Sequence, residues 1–189
     1  MRPRTLPASR LRVRPRLRVG PRLAARGPTV GMHVFDTKHT IAHSADDMFR
    51  LVADVESYPR FLPLCEELRL RRRERRDGKE ALIATMTVGY KLIRESFTTE
   101  VILDADAHTI VVHYLDGPFS FLENRWRFLS LTPRSCEVDF CIAYSFRSRL
   151  LERLMGGLFD KAVRKYADAF ETRANAVYGA SPASPASQQ

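Results

Sequence analysis

The chain holds five histidines and three cysteines, and any metal or nucleophilic chemistry would have to begin with them. His39 and His43 are four apart, a spacing that sets two ligands on one helix face. Here they straddle the end of an expected strand with no third ligand nearby, so the pair does not define a metal site. His108 and His113 are five apart, which in a strand turns two side chains to opposite faces. A catalytic cysteine or serine needs a base within hydrogen-bond reach and a further group to orient that base. Cys65, Cys136 and Cys141 nominate no such base, and no G-x-S-x-G turn, G-x-G-x-x-G loop or P-loop occurs. Glu95, Glu100 and Glu123 are acid/base candidates if the sheet gathers them; the alternative is solvated carboxylates paired with Arg94, Arg125 or Arg127. The expectation is a protein that is not an enzyme and has no metal or covalent cofactor.

The run RLRRRERR, Arg69 to Arg76, is the basic cluster of the patterned region. It suits phosphate groups of RNA or lipid heads, or serves as a charged strand edge that resists pairing with other strands. The overall charge of +9 has another origin. Nine of the 31 basic residues and none of the 22 acids fall within residues 1–31, leaving the other 158 residues balanced at 22 against 22. Basicity therefore belongs to a tail, and DNA is not an expected partner.

That tail, MRPRTLPASRLRVRPRLRVGPRLAARGPTVG, has five prolines and no sustained apolar period, so disorder is expected. Its readings are an organelle transit peptide, an over-extended reading frame whose true start is Met32, or a basic arm. Residues 180–189, ASPASPASQQ, are expected to be a second disordered tail. No apolar run reaches the ~18 residues that span a bilayer. The cysteines, without a secretory segment, point to a reducing compartment and free thiols.

Between the tails, His33 to Ile41 alternates and opens a sheet. Ser44 followed by Asp46 and Asp47 caps a helix from about Ala45 to Val55, with Met48, Leu51, Val52 and Val55 as its apolar stripe. Pro59 ends it. Six strands follow, punctuated by Asp77-Gly78, Asp104 to His108, Asp116-Gly-Pro118 and Thr132 to Ser135. In the last of them, Cys136, Val138, Phe140, Ile142, Tyr144 and Phe146 form one greasy face. The preceding strand offers Leu122, Trp126 and Phe128 to the same side, interrupted by Asn124. After Ser148 the period changes to 3.6, and Leu151, Leu154, Leu158, Ala162, Tyr166, Phe170, Ala174 and Val177 predict a long helix from about 148 to 177. Gly156-Gly157 predicts a bend or a close approach within it.

Three segments carry a resemblance: VADVESYPRFLPLC at 52–65, GPFSFLENRWRF at 117–128 and GLFDKAVRKYADAFETRANAVYG at 157–179. Together they resemble the START-like superfamily with its helix-grip fold. The nearest likeness is to coenzyme Q-binding proteins and their bacterial relatives labelled polyketide cyclase/dehydrase or ribosome association toxin. The similarity spans residues 32–179, which makes that span one lipid- or quinone-binding domain. It implies an α+β fold in which a curved antiparallel sheet of seven strands wraps a long C-terminal helix around a hydrophobic cavity. For the quinone branch it implies non-catalytic binding and delivery of ubiquinone, as ligand rather than covalent cofactor, in respiration and ubiquinone biosynthesis. The toxin branch implies binding to the large ribosomal subunit instead, and a cyclase or hydrolase using the same cavity is a third reading.

The candidate lining is Phe61, Leu62, Met86, Val88, Trp126, Phe128, Phe140, Ile142 and Tyr144, with Leu158, Val163, Tyr166 and Phe170 from the helix. Each of these also serves as plain core. Tyr58, Phe61, Leu62 and Phe119 are the expected gate or membrane-contacting residues. The expected place is the cytoplasmic face of a bacterial inner membrane, or the matrix side of the mitochondrial inner membrane in a eukaryote.

Overall fold

The computed structural model describes residues 31–179; the two predicted tails otherwise lie outside the described residues. Strand β1, His33–Ile41, leads through a short turn to helix α1, Ala45–Ala53. Ser44 caps that helix, its Oγ accepting a hydrogen bond from the Asp47 amide at 3.1 Å, and Asp46 and Asp47 place negative charge at the positive end of the helix. The helix stops at Ala53 rather than Val55, and Val55–Arg60 tightens into a 3-10 helix that accommodates Pro59.

Six more strands follow: β2 (Cys65–Arg76), β3 (Lys79–Tyr90), β4 (Ile93–Asp104), β5 (Thr109–Asp116), β6 (Phe119–Thr132) and β7 (Ser135–Phe146). They form one sheet in the order β1-β7-β6-β5-β4-β3-β2, every neighbouring pair antiparallel. Asp77 and Gly78, both at positive φ, make the two-residue turn between β2 and β3 and so set their register, with Arg76 opposite Lys79. Bulges at Leu70/Arg72, Thr98/Thr99 and Phe119/Phe121 interrupt the ladders and bend the strands.

Alternation puts Leu122, Asn124, Trp126 and Phe128 of β6 on the inner face beside Val138, Phe140, Ile142 and Tyr144 of β7. Helix α2, Arg149–Tyr178, lies across that face. Gly156 and Gly157 leave it unbroken, and Gly156 makes the expected close approach: a Cβ there would stand 3.6 Å from Cε1 of His33.

The buried stripe of α2 differs from the one the spacing predicts. Leu154 and Val177 are 52% and 47% exposed, and Leu158 is half-buried. Phe159 and Val163 are buried together with Ala162, Phe170 and Ala174. A row of side chains every four residues drifts by about 40° per step around a helix of 3.6 residues per turn, so five such steps cannot all face one sheet. The Phe159–Ala174 face wins because Phe170 fits between Trp126, Tyr58 and Phe61, with ring centroids 5.2–5.4 Å away.

Candidate functional site

Between the inner face of the sheet and α2 lies a cavity of about 100 Å³. Its walls come from every layer. The 3-10 helix and the loop after it supply Val55, Tyr58 and Leu62; β2 to β4 supply Leu68, Ala84, Met86, Phe97, Thr99 and Val101. The central strands add Ile110, Val112, Leu122, Asn124, Trp126, Phe140 and Ile142, and α2 closes it with Phe159, Tyr166 and Phe170.

The polar atoms in this wall are largely spent on one another. Trp126 Nε1 donates to Asn124 Oδ1 at 2.8 Å, and Asn124 Nδ2 donates to the Cys141 carbonyl at 3.0 Å. The Tyr58 hydroxyl donates to the Val52 carbonyl at 2.5 Å. Burial raises the hydroxyl pKa of Tyr58 and of Tyr166, so both keep their protons at any ordinary pH. Asn124 therefore fixes the Trp126 ring without presenting a loose donor, and the wall is an apolar, aromatic surface that favours uncharged rings and hydrocarbon.

Seven of the sequence-predicted lining residues meet here: Leu62, Met86, Trp126, Phe140, Ile142, Tyr166 and Phe170. The others are elsewhere. Val88, Phe128, Tyr144 and Val163 are buried core outside the cavity lining, and Leu158 is half-buried on α2. Phe61 packs on Tyr58 and Phe170 and lines a separate shallow groove with Pro63 and Arg173. The expected gate is corrected in the same way. Phe119 is 1% exposed, wedged against Phe97, Tyr144 and Phe146, and Leu62 is buried; Tyr58 points inward. Prolines and a 3-10 helix fold this loop onto α2 instead of offering it to solvent.

Sequence reasoning missed the rest of the wall, notably Phe97, Thr99 and Val101 of β4, Ile110 and Val112 of β5 and Phe159 of α2. The alternation Phe97, Thr99, Val101, Leu103 was available as a signal, and the β3–β4 register, which closes at Tyr90 opposite Ile93, places it against Met86, Ala84 and Leu82.

The chemistry-bearing residues do not converge on the cavity. His39 Nε2 pairs with Thr37 Oγ1 at 2.8 Å, and buried His43 bonds Asn175 Oδ1 at 2.8 Å. Glu100 and Glu123 both stand opposite His113 in the ladders on the outer face, whereas Glu95 is opposite Val88 on the inner side. The three glutamates thus do not assemble, because strand parity separates Glu95 from Glu100. All three cysteines are free, and burial pushes the Cys65 and Cys136 thiols up to about 11. Most arginines of edge strand β2 are answered by carboxylates: Arg69 by Glu67, Arg72 by Glu74, Arg73 by Glu56 and Glu80, Arg76 by Glu74 and Glu100.

The family model "Polyketide cyclase / dehydrase and lipid transport" matches residues 41–171. The chain belongs to this family. Within the lipid-transport and cyclase family, the ribosome association toxin RatA of Escherichia coli K12 is 34% identical over 140 residues, covering 74% of this chain and 85% of its own. Coenzyme Q-binding protein COQ10 homolog B, mitochondrial, of Xenopus laevis is 30% identical over 149 residues, covering 77% of this chain and 59% of its own. The solved structure of a START superfamily protein from Mycobacterium smegmatis superposes with a TM-score of 0.65 at 20% identity, covering 77% of this chain and 99% of that one. The fold is thus START-like, an α+β helix grip. Among the described residues, no helix is long and apolar enough to cross a membrane.

Proposed function

We propose that this member of the lipid-transport family binds ubiquinone or a related polyprenyl lipid and delivers it without covalent chemistry. The observation that carries the reading is the cavity itself, closed by α2 and lined by aromatic and aliphatic side chains around one satisfied amide. A volume of about 100 Å³ accepts one small ring, so the ring enters and the isoprenoid tail stays outside or in a bilayer. Retention comes from apolar burial at roughly 25 cal/mol per Å².

Delivery needs a membrane-facing surface, and the end of the sheet formed by the β3–β4 and β5–β6 turns and the start of α2 suits one. Leu92 is 101% exposed and Leu150 65%, with Leu115, Phe121 and Leu154 also exposed. Lys91, Arg147, Arg149 and Arg153 share this end and have no ion pair among the described residues. Unanswered cations beside bare leucines fit an anionic bilayer. This end, rather than the Tyr58–Leu62 loop, is the proposed point of membrane contact.

Organic extraction of the purified full chain followed by mass spectrometry tests the reading, with a quinone or polyprenyl lipid expected near one per chain. Absence of any such lipid, together with co-sedimentation with large ribosomal subunits, overturns it in favour of the RatA-like reading. That second reading draws on the identity to RatA and on exposed Arg71 and Arg75, which have no ion pair among the described residues. Joint Arg71→Glu, Arg72→Glu and Arg73→Glu substitution discriminates: ribosome association collapses if RNA is the partner, and lipid content is unchanged if the cavity is the function.

A further inference from the structure

A cavity sized for one small ring, closed by Phe159, Tyr166 and Phe170, can exchange a larger ligand only if α2 moves away from the sheet. The two ends of that helix are held differently. Towards the C-terminus, Phe170 and Ala174 are buried in the core. Towards the N-terminus, Leu150 and Leu154 face solvent, Phe159 is buried against Phe119, Tyr144 and Phe146, and a polar cluster reaches across from the sheet.

His33, on edge strand β1, sits in that cluster with both ring nitrogens against carboxylates of α2. Nδ1 is 3.0 Å from Asp160 Oδ2 and Nε2 is 2.5 Å from Glu152 Oε1. The ring lies flat on Tyr144 of β7, centroids 4.9 Å apart and planes within 5°. The Tyr144 hydroxyl donates to Asp160 Oδ1 at 2.6 Å. Glu152 and Asp160 are eight residues apart, about two turns, so both reach one ring from one helix face. Gly156 lies midway and is buried; its missing side chain leaves the ring room to rest against the helix. Phe159, next to Asp160, is in turn packed on Tyr144 at 4.8 Å and forms part of the cavity wall.

We propose that His33, Glu152, Asp160 and Tyr144 form a protonation-dependent clasp that keeps the N-terminal half of α2 closed over the cavity and releases it when His33 becomes neutral. Both ring nitrogens donate only in the imidazolium; a neutral ring presents a bare nitrogen lone pair to one of the two carboxylates. The groups facing His33 are Glu152 and Asp160 from α2 and the Tyr144 hydroxyl from β7. Partial burial of the ring opposes its charge, but the two carboxylates outweigh it and raise the pKa above its ordinary value. Burial and the hydrogen bond to Asp160 raise that of Tyr144, which stays a neutral donor. The sign follows: the clasp is fully made below about pH 6.5, the ordinary histidine value, and is lost as pH rises through the raised one. Ligand exchange is therefore faster on the alkaline side.

The clasp makes the cavity of the proposed carrier a regulated one, yet its test needs no ligand. Trp126 is the chain's single tryptophan and lines the cavity. Acrylamide quenching of its fluorescence in the full chain, from about pH 6 to pH 9, is expected to rise roughly three-fold. Hydrogen exchange, corrected for intrinsic rates, should speed up at residues 149–160 and stay unchanged at 163–174. His33→Ala and Asp160→Asn should quench at the high level at every pH. Wild-type quenching that is flat with pH, or His33→Ala quenching that keeps the wild-type profile, overturns the clasp. The wild-type profile decides even if a variant fails to fold. Decylubiquinone quenching of Trp126 then separates the two ideas. A pH-dependent opening without quinone binding sinks the carrier reading alone, and quinone binding by a chain whose acrylamide quenching is flat with pH sinks the clasp alone.

Discussion

The two halves of α2 show how one helix divides stability from responsiveness. The C-terminal half is fastened mainly by apolar contact: Phe170 meets Trp126, Tyr58 and Phe61 and Ala174 is fully buried, with a hydrogen bond to Asn175 Oδ1 from His43 in the turn before α1 added to it. Apolar burial of this kind does not depend on pH and has no partial state short of unpacking. The N-terminal half is fastened by Phe159, packed on Phe119, Tyr144 and Phe146, and in addition by His33, Glu152, Asp160 and Tyr144, a set whose strength depends on one proton. A helix with a titratable cluster at one end only can loosen with pH at that end only.

Breaking the apolar end should cost most. Phe170→Ala removes a ring buried among three aromatics and lining the cavity, and should destabilise the fold by about 3–5 kcal/mol in denaturant unfolding. Retention of wild-type stability would mean that the two halves are not distinguished by packing. His33→Ala should cost much less, about 1 kcal/mol at pH 6, because the cluster is partly solvated. That cost should vanish as pH rises past the His33 titration, since stability from a raised histidine pKa is present at low pH and lost at high pH. Unfolding curves of wild type and variant that converge at alkaline pH would sharpen the comparison; a constant offset would break it.

Gly156→Ala divides the two effects within one position. Alanine is the better helix former and should raise stability by up to about 1 kcal/mol. Its Cβ would fall 2.9 Å from Glu152 Oε1, the far end of a flexible side chain, so Glu152 must swing away from His33. The pH dependence of Trp126 quenching should shrink while the melting temperature rises. The smallest stability change is expected for Leu150→Asp with Leu154→Asp, within about 0.5 kcal/mol, because both are exposed. The same pair should lower binding to vesicles containing anionic lipid roughly ten-fold. Unchanged vesicle binding would move the membrane contact elsewhere.

Much of the fold was legible because its signals are local. The Ser44 cap, the Asp77-Gly78 turn, the strict alternation of β7 and the change of period after Ser148 each depend on neighbours in sequence. The cavity was half legible. Leu62, Met86, Trp126, Phe140, Ile142, Tyr166 and Phe170 line it as the pattern anticipates, but apolarity cannot distinguish a wall from the core behind it. Val88, Phe128, Tyr144 and Val163 have the same chemistry as the lining residues and are buried outside the wall. The gate loop was partly legible: Tyr58 and Leu62 line the cavity, but a greasy loop is exposed or buried according to what covers it, and Phe170 covers Tyr58 and Phe61.

From sequence alone, the chain determined its class: a sheet of seven strands and one long helix, a patterned region of balanced charge after a basic first 31 residues, and no motif for nucleotide, metal or nucleophile. Those properties reside in periodicity, composition and short turns, which neighbouring residues set. Only the tertiary structure decided which face of α2 met the sheet, and with it which aromatics enclosed a cavity. It also decided that a histidine at residue 33 would lie between two carboxylates more than 110 positions away. Contacts across such separations depend on how the sheet bends and where the helix docks, and no local pattern in the chain encodes them.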